Sequence, residues 1–345
     1  MATIIPKVYP KCIHSFNKWL NSNPEYIKIY KLIGSPTAFD VTLRDGIQGL
    51  SSMSFDEKVN IYNLIYKTHQ PKNMEVGSIV SDRVLPIFSD SLSVYDYATT
   101  LKGTIMHNKK YSTNRLVTTD NWVLIPNEDQ FNKIQTHLDM PNLSFITSVS
   151  EKFQLKNTKM TIDQSIQNIR NIMTRLDDSM NEFESIPKTK VYVSCISKCP
   201  VTKEEIEIDQ IMETLVKVNQ LNPDIICLSD TCGTLELDDF DTIMRRSRKL
   251  GIPLYKYGLH LHVPNGREVF VKSIMVGALL YGIRHFDVSM LGSGGCSVTM
   301  NKKDLAPNVS YEMFYRALVT YIMNVDKYQS TTINDYIFGI NFQGV

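Results

Sequence analysis

Lys256-Tyr-Gly-Leu-His-Leu-His-Val263 alternates as a β-strand running into a loop. Successive strand side chains point to opposite faces, so His260 and His262 present both imidazoles on one side, at a spacing that one metal ion accepts. Two imidazoles need oxygen partners from elsewhere. The candidate lies near the start of the chain, in Phe39-Asp-Val-Thr-Leu-Arg-Asp-Gly-Ile-Gln48, where an apolar-alternating strand ends in Arg44-Asp45 followed by Gly46. These two stretches together point to a metal-dependent enzyme.

Similar short runs recur along the chain: Phe39–Leu43, Met74–Ile79, Trp122–Ile125, Ser144–Val149, Val191–Ile196, Ile225–Ser229, Tyr257–His262 and His285–Met290. Helix-like segments separate them. Ile166, Ile169, Met173 and Leu176 share one face of a helix over Ile162–Met180, and Ile208, Ile211, Leu215 and Val218 share one over Ile206–Leu221. Eight strands alternating with helices predict a parallel (β/α)8 TIM barrel, although a doubly wound sheet alternates in the same way. The placement of the polar residues favours the barrel. Arg44-Asp45, Glu75, Ser194-Cys195, Asp230-Thr231, the two histidines and Gly292-Ser-Gly-Gly-Cys296 fall at or near the C-terminal ends of the proposed strands, which a barrel gathers on one rim. Residues 90–120 read as a long insertion between strands two and three, with Asn108-Lys-Lys-Tyr111 exposed. Residues 1–35 read as an N-terminal extension whose Phe16, Trp19 and Leu20 pack a helix on the barrel of residues 36–345.

The charge balance, 37 basic against 36 acidic residues, supplies no field that favours nucleic acid or an anionic membrane. The expected partner is a small molecule, with neither nucleic acid nor membrane. Six cysteines without a secretory signal read as reduced thiols, with a cytoplasmic location as the default. A mitochondrial transit peptide is the alternative: the first 24 residues carry Lys7, Lys11 and Lys18 and no acid. They also lack arginine and contain Pro6 and Pro10, which oppose a continuous amphipathic helix. Cys195 and Cys199 do not form a Cys-x-x-Cys pair, and Cys195, Cys227 and Cys232 read as packing residues.

Six segments in collinear order, Leu-Arg-Asp-Gly-Ile-Gln, Met-Glu-Val-Gly-Ser, Tyr-Val-Ser-Cys-Ile-Ser-Lys-Cys-Pro, Leu-Ser-Asp-Thr-Cys-Gly, His-Leu-His and Gly-Ser-Gly-Gly-Cys, resemble those of the 3-hydroxy-3-methylglutaryl-CoA lyase family of barrel metallolyases. The resemblance spans roughly residues 36–320. It implies metal ligands at Asp45, His260, His262 and Asn308, holding Mg²⁺ or Mn²⁺, with Zn²⁺ also tolerated. It implies catalytic roles for Arg44 as the cation that stabilises an enolate, Asp230 in proton transfer, Glu75 in orienting Arg44 or substrate, and Cys296 as a proton donor on a mobile glycine loop. Gln48, Ser78, Gly294 and Gly295 would contact an acyl-CoA substrate, in a homodimer. The implied reaction is cleavage of 3-hydroxy-3-methylglutaryl-CoA to acetoacetate and acetyl-CoA.

The chain departs from that family at three places. Gly49-Leu50-Ser51 stands where the lyases have Asn-Glu-Lys, Val263 where an aspartate follows the second histidine, and Ser297 where a proline follows the loop cysteine. The segment between Cys296 and Asn308 is longer by about three residues, an insertion that loops absorb readily. A Claisen-type acyltransferase resembling isopropylmalate or homocitrate synthase, and a non-catalytic relative, therefore stand as alternatives.

Overall fold

The computed structural model describes residues 10–109, 119–135, 140–178, 187–295 and 297–329. Eight parallel strands close into a barrel in sequence order: β1 (Thr37–Asp40), β2 (Asn73–Ser78), β3 (Asp120–Leu124), β4 (Asn142–Ser148), β5 (Thr189–Ser194), β6 (Ile225–Asp230), β7 (Tyr257–Leu261) and β8 (His285–Val288). Closure is made by β1 against β8, with Thr37 opposite His285 and Asp40 opposite Val288. Helices α1 (Ile13–Leu20) and α2 (Pro24–Leu32) precede the barrel. The helices α3 (Phe55–His69), α4 (Ser91–Lys109), α5 (Glu128–Phe131), α6 (Glu151–Thr158), α7 (Ile162–Asp178), α8 (Ile208–Asn219), α9 (Leu237–Lys249), α10 (Glu268–Leu280) and α11 (Tyr311–Gln329) follow the strands. A parallel strand pair needs a crossover, and helices supply it here.

Every strand expected from sequence is present, but several end earlier than the apolar pattern suggested. The first is the informative case: β1 stops at Asp40, and residues 42–46 form a π-helical turn instead of continuing to Leu43. Asp40 stops the strand chemically. Its buried carboxylate accepts from the Thr42 N–H at 2.9 Å, the Thr42 hydroxyl at 3.0 Å and the Tyr311 hydroxyl at 2.8 Å, satisfying backbone that would otherwise seek a ladder. The stretch 90–120 also differs from the irregular insertion expected. Most of it is α4, the regular crossover from β2 to β3, and Asn108–Tyr111 fall outside the residues whose side chains are described.

Two apolar layers hold the molecule. The larger lies between the outer strand faces and the helices and contains the stripes of α7 and α8, including Ile166, Ile169, Ile211 and Leu215. Phe16 and Leu20 of α1 join it, with the Phe16 ring stacked 5.2 Å from that of Tyr315 in α11. The smaller layer fills the barrel and is built from Phe39, Val41, Trp122, Leu124, Tyr192, Ile225 and Cys227. Trp122 donates its indole N–H to Asn73 at 3.0 Å, so even this plug is polar-satisfied. Charged groups stand above it, toward the C-terminal rim.

Candidate metal centre and active site

On a regular strand, adjacent residues face opposite ways, so Arg44 and Asp45 could not both enter the barrel. The 42–46 turn removes that constraint. Both side chains lie buried at the rim, with Arg44 Nη1 donating to Asp45 Oδ1 at 2.8 Å. Arg44 Nε donates to Glu75 Oε2 at 2.6 Å, and its guanidinium lies 4.8 Å from the Tyr192 ring centroid. Its Nη2 is buried with no hydrogen-bond partner in the protein, a donor held ready beside the cavity.

His260 at the end of β7 and His262 just beyond it stand with ring centroids 4.9 Å apart. Each uses its Nδ1 elsewhere. His260 Nδ1 bonds Asp287 at 3.1 Å, and His262 Nδ1 donates to the Ala306 carbonyl at 3.0 Å, which fixes the tautomers and leaves both Nε2 lone pairs for a ligand. His260 Nε2 is 3.8 Å from Asp45 Oδ2. Burial pushes His262 down to about 4, with the neighbouring His260 adding to the effect, so its imidazole is neutral at physiological pH. Asp45 is held well below the usual carboxylate range: burial acts the other way, but Arg44 and the two histidines outweigh it.

The fourth position comes from a distant segment. His262 and Asn308 form an antiparallel bridge, and Ser289 pairs with Ser310, so residues 307–310 extend the rim beside β7 and β8. The Asn308 amide nitrogen donates to Asp45 Oδ2 at 2.9 Å and to the Ser293 carbonyl at 3.3 Å. Those two acceptors set the amide's orientation, leaving the buried Oδ1 without a partner. An orphaned amide oxygen, an ionised carboxylate and two imidazole nitrogens, with the donor atoms of Asp45, His260 and His262 all within 4.8 Å of one another, fit a divalent cation.

The glycine-rich loop serves this centre from behind. Gly295 N–H donates to Asp45 Oδ2 at 2.9 Å, and a Cβ on Gly294 would stand 2.4 Å from Asn308 Nδ2 and 3.0 Å from Asp45 Oδ2. Only glycine allows that approach. The loop is also tied to the first turn by Ser293 Oγ donating to the Gly46 carbonyl at 2.6 Å and Ser297 Oγ to the Gln48 carbonyl at 3.0 Å. Cys296, between these ties, lies outside the described residues.

A cavity of about 350 Å³ opens beside these groups, lined by Arg44, Asp45, His260 and His262 and by apolar residues such as Val84, Leu85 and Phe88. Gln48 and Ser78 line it, as a substrate role requires; Gly294 and Gly295 do not, and instead shape the ligand set. Asp230 is held by hydrogen bonds of its own. Its oxygens accept from the Ser197 hydroxyl at 2.6 Å and from the backbone of Thr234 and Leu235 at 3.1 and 2.9 Å, and it is not among the cavity-lining residues, whereas its neighbour Thr231 is.

Beneath the rim lies a network that sequence reading missed. Lys190, fully buried, donates to Asp287 Oδ1 at 2.6 Å; Tyr192 bridges Asp287 Oδ2 at 2.9 Å and Glu75 Oε1 at 3.0 Å. Glu75 thus locks Arg44, and Asp287 locks His260. The available signal was parity: Lys190, Tyr192 and Ser194 share one face of β5, and a lysine on an inward strand face demands a buried acid.

These features define a parallel barrel of the α/β class whose C-terminal rim is built to hold a divalent ion beside an arginine-lined cavity. The chain belongs to the HMGL-like family, whose profile matches residues 35–334. Among curated relatives it is 26% identical over 290 residues to a cytoplasmic 3-hydroxy-3-methylglutaryl-CoA lyase of Danio rerio, spanning 84% of this chain and 75% of that protein. It is 25% identical over 284 residues to a mitochondrial hydroxymethylglutaryl-CoA lyase of Arabidopsis thaliana, spanning 82% of this chain; that match covers 53% of the plant protein, about half its length. The fold superposes on the HMG-CoA lyase of Pseudomonas aeruginosa with a TM-score of 0.66 at 19% identity, covering 90% of this chain and 95% of that one. For the Bacillus subtilis enzyme the TM-score is 0.64 at 20% identity, covering 88% and 98%.

Proposed function

We propose that this protein is a divalent-metal-dependent carbon–carbon lyase that cleaves a 3-hydroxyacyl-CoA, with 3-hydroxy-3-methylglutaryl-CoA as the substrate to test first and acetoacetate and acetyl-CoA as products. The observation that carries the reading is the Asp45, His260 and His262 cluster with the unpartnered Arg44 Nη2 beside it. Membership of the HMGL-like family and the names of its relatives support it.

Asp45, His260, His262 and Asn308 would hold a divalent ion, Mg²⁺ or Mn²⁺, which would supply Lewis-acid chemistry beside the cavity. Arg44 stabilises the enolate that develops when the carbon–carbon bond breaks, with Nη2 as the donor and Glu75 fixing the guanidinium plane. Cys296 returns a proton to that enolate, carried by a loop whose flanking residues are tied to Asp45 and Gln48. Asp230 acts as a positioning residue that holds the loop after β6, with Thr231 facing the cavity. Gln48 and Ser78 contact the acyl portion.

Purified protein dialysed against Mn²⁺ should release acetoacetate from the thioester. Arg44→Gln, which keeps hydrogen bonding but loses the charge, should lower turnover by on the order of a hundredfold while leaving metal content unchanged. Condensation of acetyl-CoA with a 2-oxo acid, and no cleavage, would assign a Claisen-type acyltransferase, and no reaction in either direction would assign a non-catalytic relative. The assembly is a homodimer in this reading, tested by light scattering. The compartment is cytoplasmic, tested by fractionation; the relatives include both cytoplasmic and mitochondrial proteins. Among the described residues no helix is long and apolar enough to cross a membrane.

A further inference from the structure

Past the end of β5 the chain makes an unusual turn. Cys195 adopts φ +65°, the left-handed region, and its N–H donates to Thr231 Oγ1 at 3.0 Å. Three residues follow, and the next, Cys199, returns to the same apolar pocket, where both thiols pack with Phe153. The sulfur of Cys199 is an acceptor for two donors at once, the Ser150 hydroxyl at 2.9 Å and the Thr202 N–H at 3.4 Å, with Cys195 packed in the same cluster. Convergent donors on one sulfur stabilise negative charge there. Although only 1% exposed, Cys199 also belongs to the lining of a second groove, of about 570 Å³, whose other walls include Glu151, Glu204, Glu207 and Glu213. This groove shares no lining residue with the cavity beside Asp45, His260 and His262.

We propose that Cys199 is a peroxide-reactive thiolate and Cys195 its resolving thiol, forming a modification site separate from the metal centre. The sulfur–donor geometry matches the requirement for a reactive cysteine, and the electrostatics agree. Cys199 is pushed down to about 4, chiefly by the hydrogen bond from Cys195, with burial opposing and Ser150 and Thr202 adding to the lowering. Burial drives Cys195 well above the ordinary thiol value. Both shifts favour negative charge on Cys199 and the proton on Cys195. The acidic groove selects the oxidant: a neutral hydroperoxide can approach, whereas an anionic disulfide such as oxidised glutathione is repelled.

Cys199 thiolate attacks one oxygen of hydrogen peroxide, the O–O bond breaks, and with one proton taken up the products are Cys199 sulfenic acid and water. The Cys195 sulfur then attacks the sulfenic sulfur; the S–O bond breaks, and the departing hydroxide leaves as water with the Cys195 proton. Two thiols are oxidised to one disulfide, and one peroxide is reduced to two waters. The disulfide withdraws the acceptor from the Ser150 hydroxyl. Ser150 caps α6, which carries Phe153 and Lys156 of the main cavity wall, so oxidation reaches the substrate cavity through this helix.

The test uses the full chain and hydrogen peroxide itself. Trypsin cuts between Lys198 and Cys199, so a Cys195–Cys199 disulfide joins peptides 191–198 and 199–203. The expected result is that joined pair, reversed by dithiothreitol, forming at peroxide levels that leave Cys227 and Cys232 reduced. In Cys195→Ser the same treatment should stop at a sulfenic acid on Cys199 that dimedone traps. Should that variant fail to fold, dimedone added to wild type during oxidation gives the same readout. In unoxidised wild type, iodoacetamide at pH 6 should label Cys199 at least tenfold faster than Cys232, whose thiol burial pushes up to about 12. A Cys199 that stays reduced while Cys232 oxidises, or that labels no faster than Cys232, would overturn the proposal.

Discussion

Asp45 accepts from Arg44 on one oxygen and from Gly295 and Asn308 on the other, so a single carboxylate joins the cation, the loop and the fourth ligand. Asp45→Ala should abolish metal retention, measured as Mn²⁺ per chain after dialysis, and His262→Ala should do the same. Equal occupancy in wild type and both variants would remove the site. Gly294→Ala is a subtler probe. Its Cβ meets the Asn308 amide and the Asp45 carboxylate, so it should weaken Mn²⁺ binding by about tenfold to a hundredfold, the range seen when groups that orient ligands are disturbed. Calorimetric titration of Mn²⁺ into Gly294→Ala checks this, and unchanged affinity would show that the loop gives way at no cost.

At the scale of an element, the turn after β1 decides whether the site exists. Asp40 holds that turn through Thr42 and Tyr311, and burial pushes its carboxyl up to about 7, the price of keeping an acid where only hydrogen bonds satisfy it. Asp40→Ala removes all three acceptor contacts without touching a metal ligand. The expected outcome is a protein that keeps its far-ultraviolet circular dichroism and loses at least tenfold in Mn²⁺ affinity, because Arg44 and Asp45 no longer share a fixed direction. Tyr311→Phe, which removes one donor and leaves Thr42 in place, should cost far less. If Asp40→Ala bound Mn²⁺ as wild type does, the turn would be held by its backbone alone.

Across the whole molecule, buried histidines set the response to acid. Burial pushes His262 and His285 down to about 4, so both are neutral in the folded barrel, while in the unfolded chain they take up protons near 6.5. Between those values the unfolded state binds more protons than the folded one. Stability is therefore fully present above about pH 6.5 and is lost as pH falls toward 4, by roughly 1 kcal/mol at pH 5.5 for a histidine as buried as His262. Asp287 works in a lower window. Burial raises it, but Lys190 and His260 outweigh burial and hold it at about 2, so its contribution stands above about pH 4 and fades as pH falls toward 2. Urea midpoints of metal-free protein should decline from pH 7 to 5, and His285→Gln should flatten that decline. A midpoint constant over this range would contradict the burial of these rings in the native state.

Local pattern carried most of the architecture. Apolar runs with period two and helical stripes such as Ile208, Ile211, Leu215 and Val218 are properties of neighbours in the chain, and so is the His-x-His spacing on β7; each was legible because side-chain direction in a regular element follows from sequence separation alone. Irregular backbone was not legible in the same way. Part of what ends the strand at Asp40 is local, the N–H and hydroxyl of Thr42, but the third donor is a hydroxyl on Tyr311, 271 positions away. The same holds for Asp287, which becomes the anchor of His260 only when β8 closes beside β7, and for Asp230, whose oxygens Ser197 and the loop after β6 take up. The sequence by itself determined an eight-fold β/α barrel and the residue types at its rim. Only the tertiary structure decided which of those groups meet and which are already satisfied, because hydrogen bonds and charge pairs in a low-dielectric interior depend on distances that barrel closure alone creates.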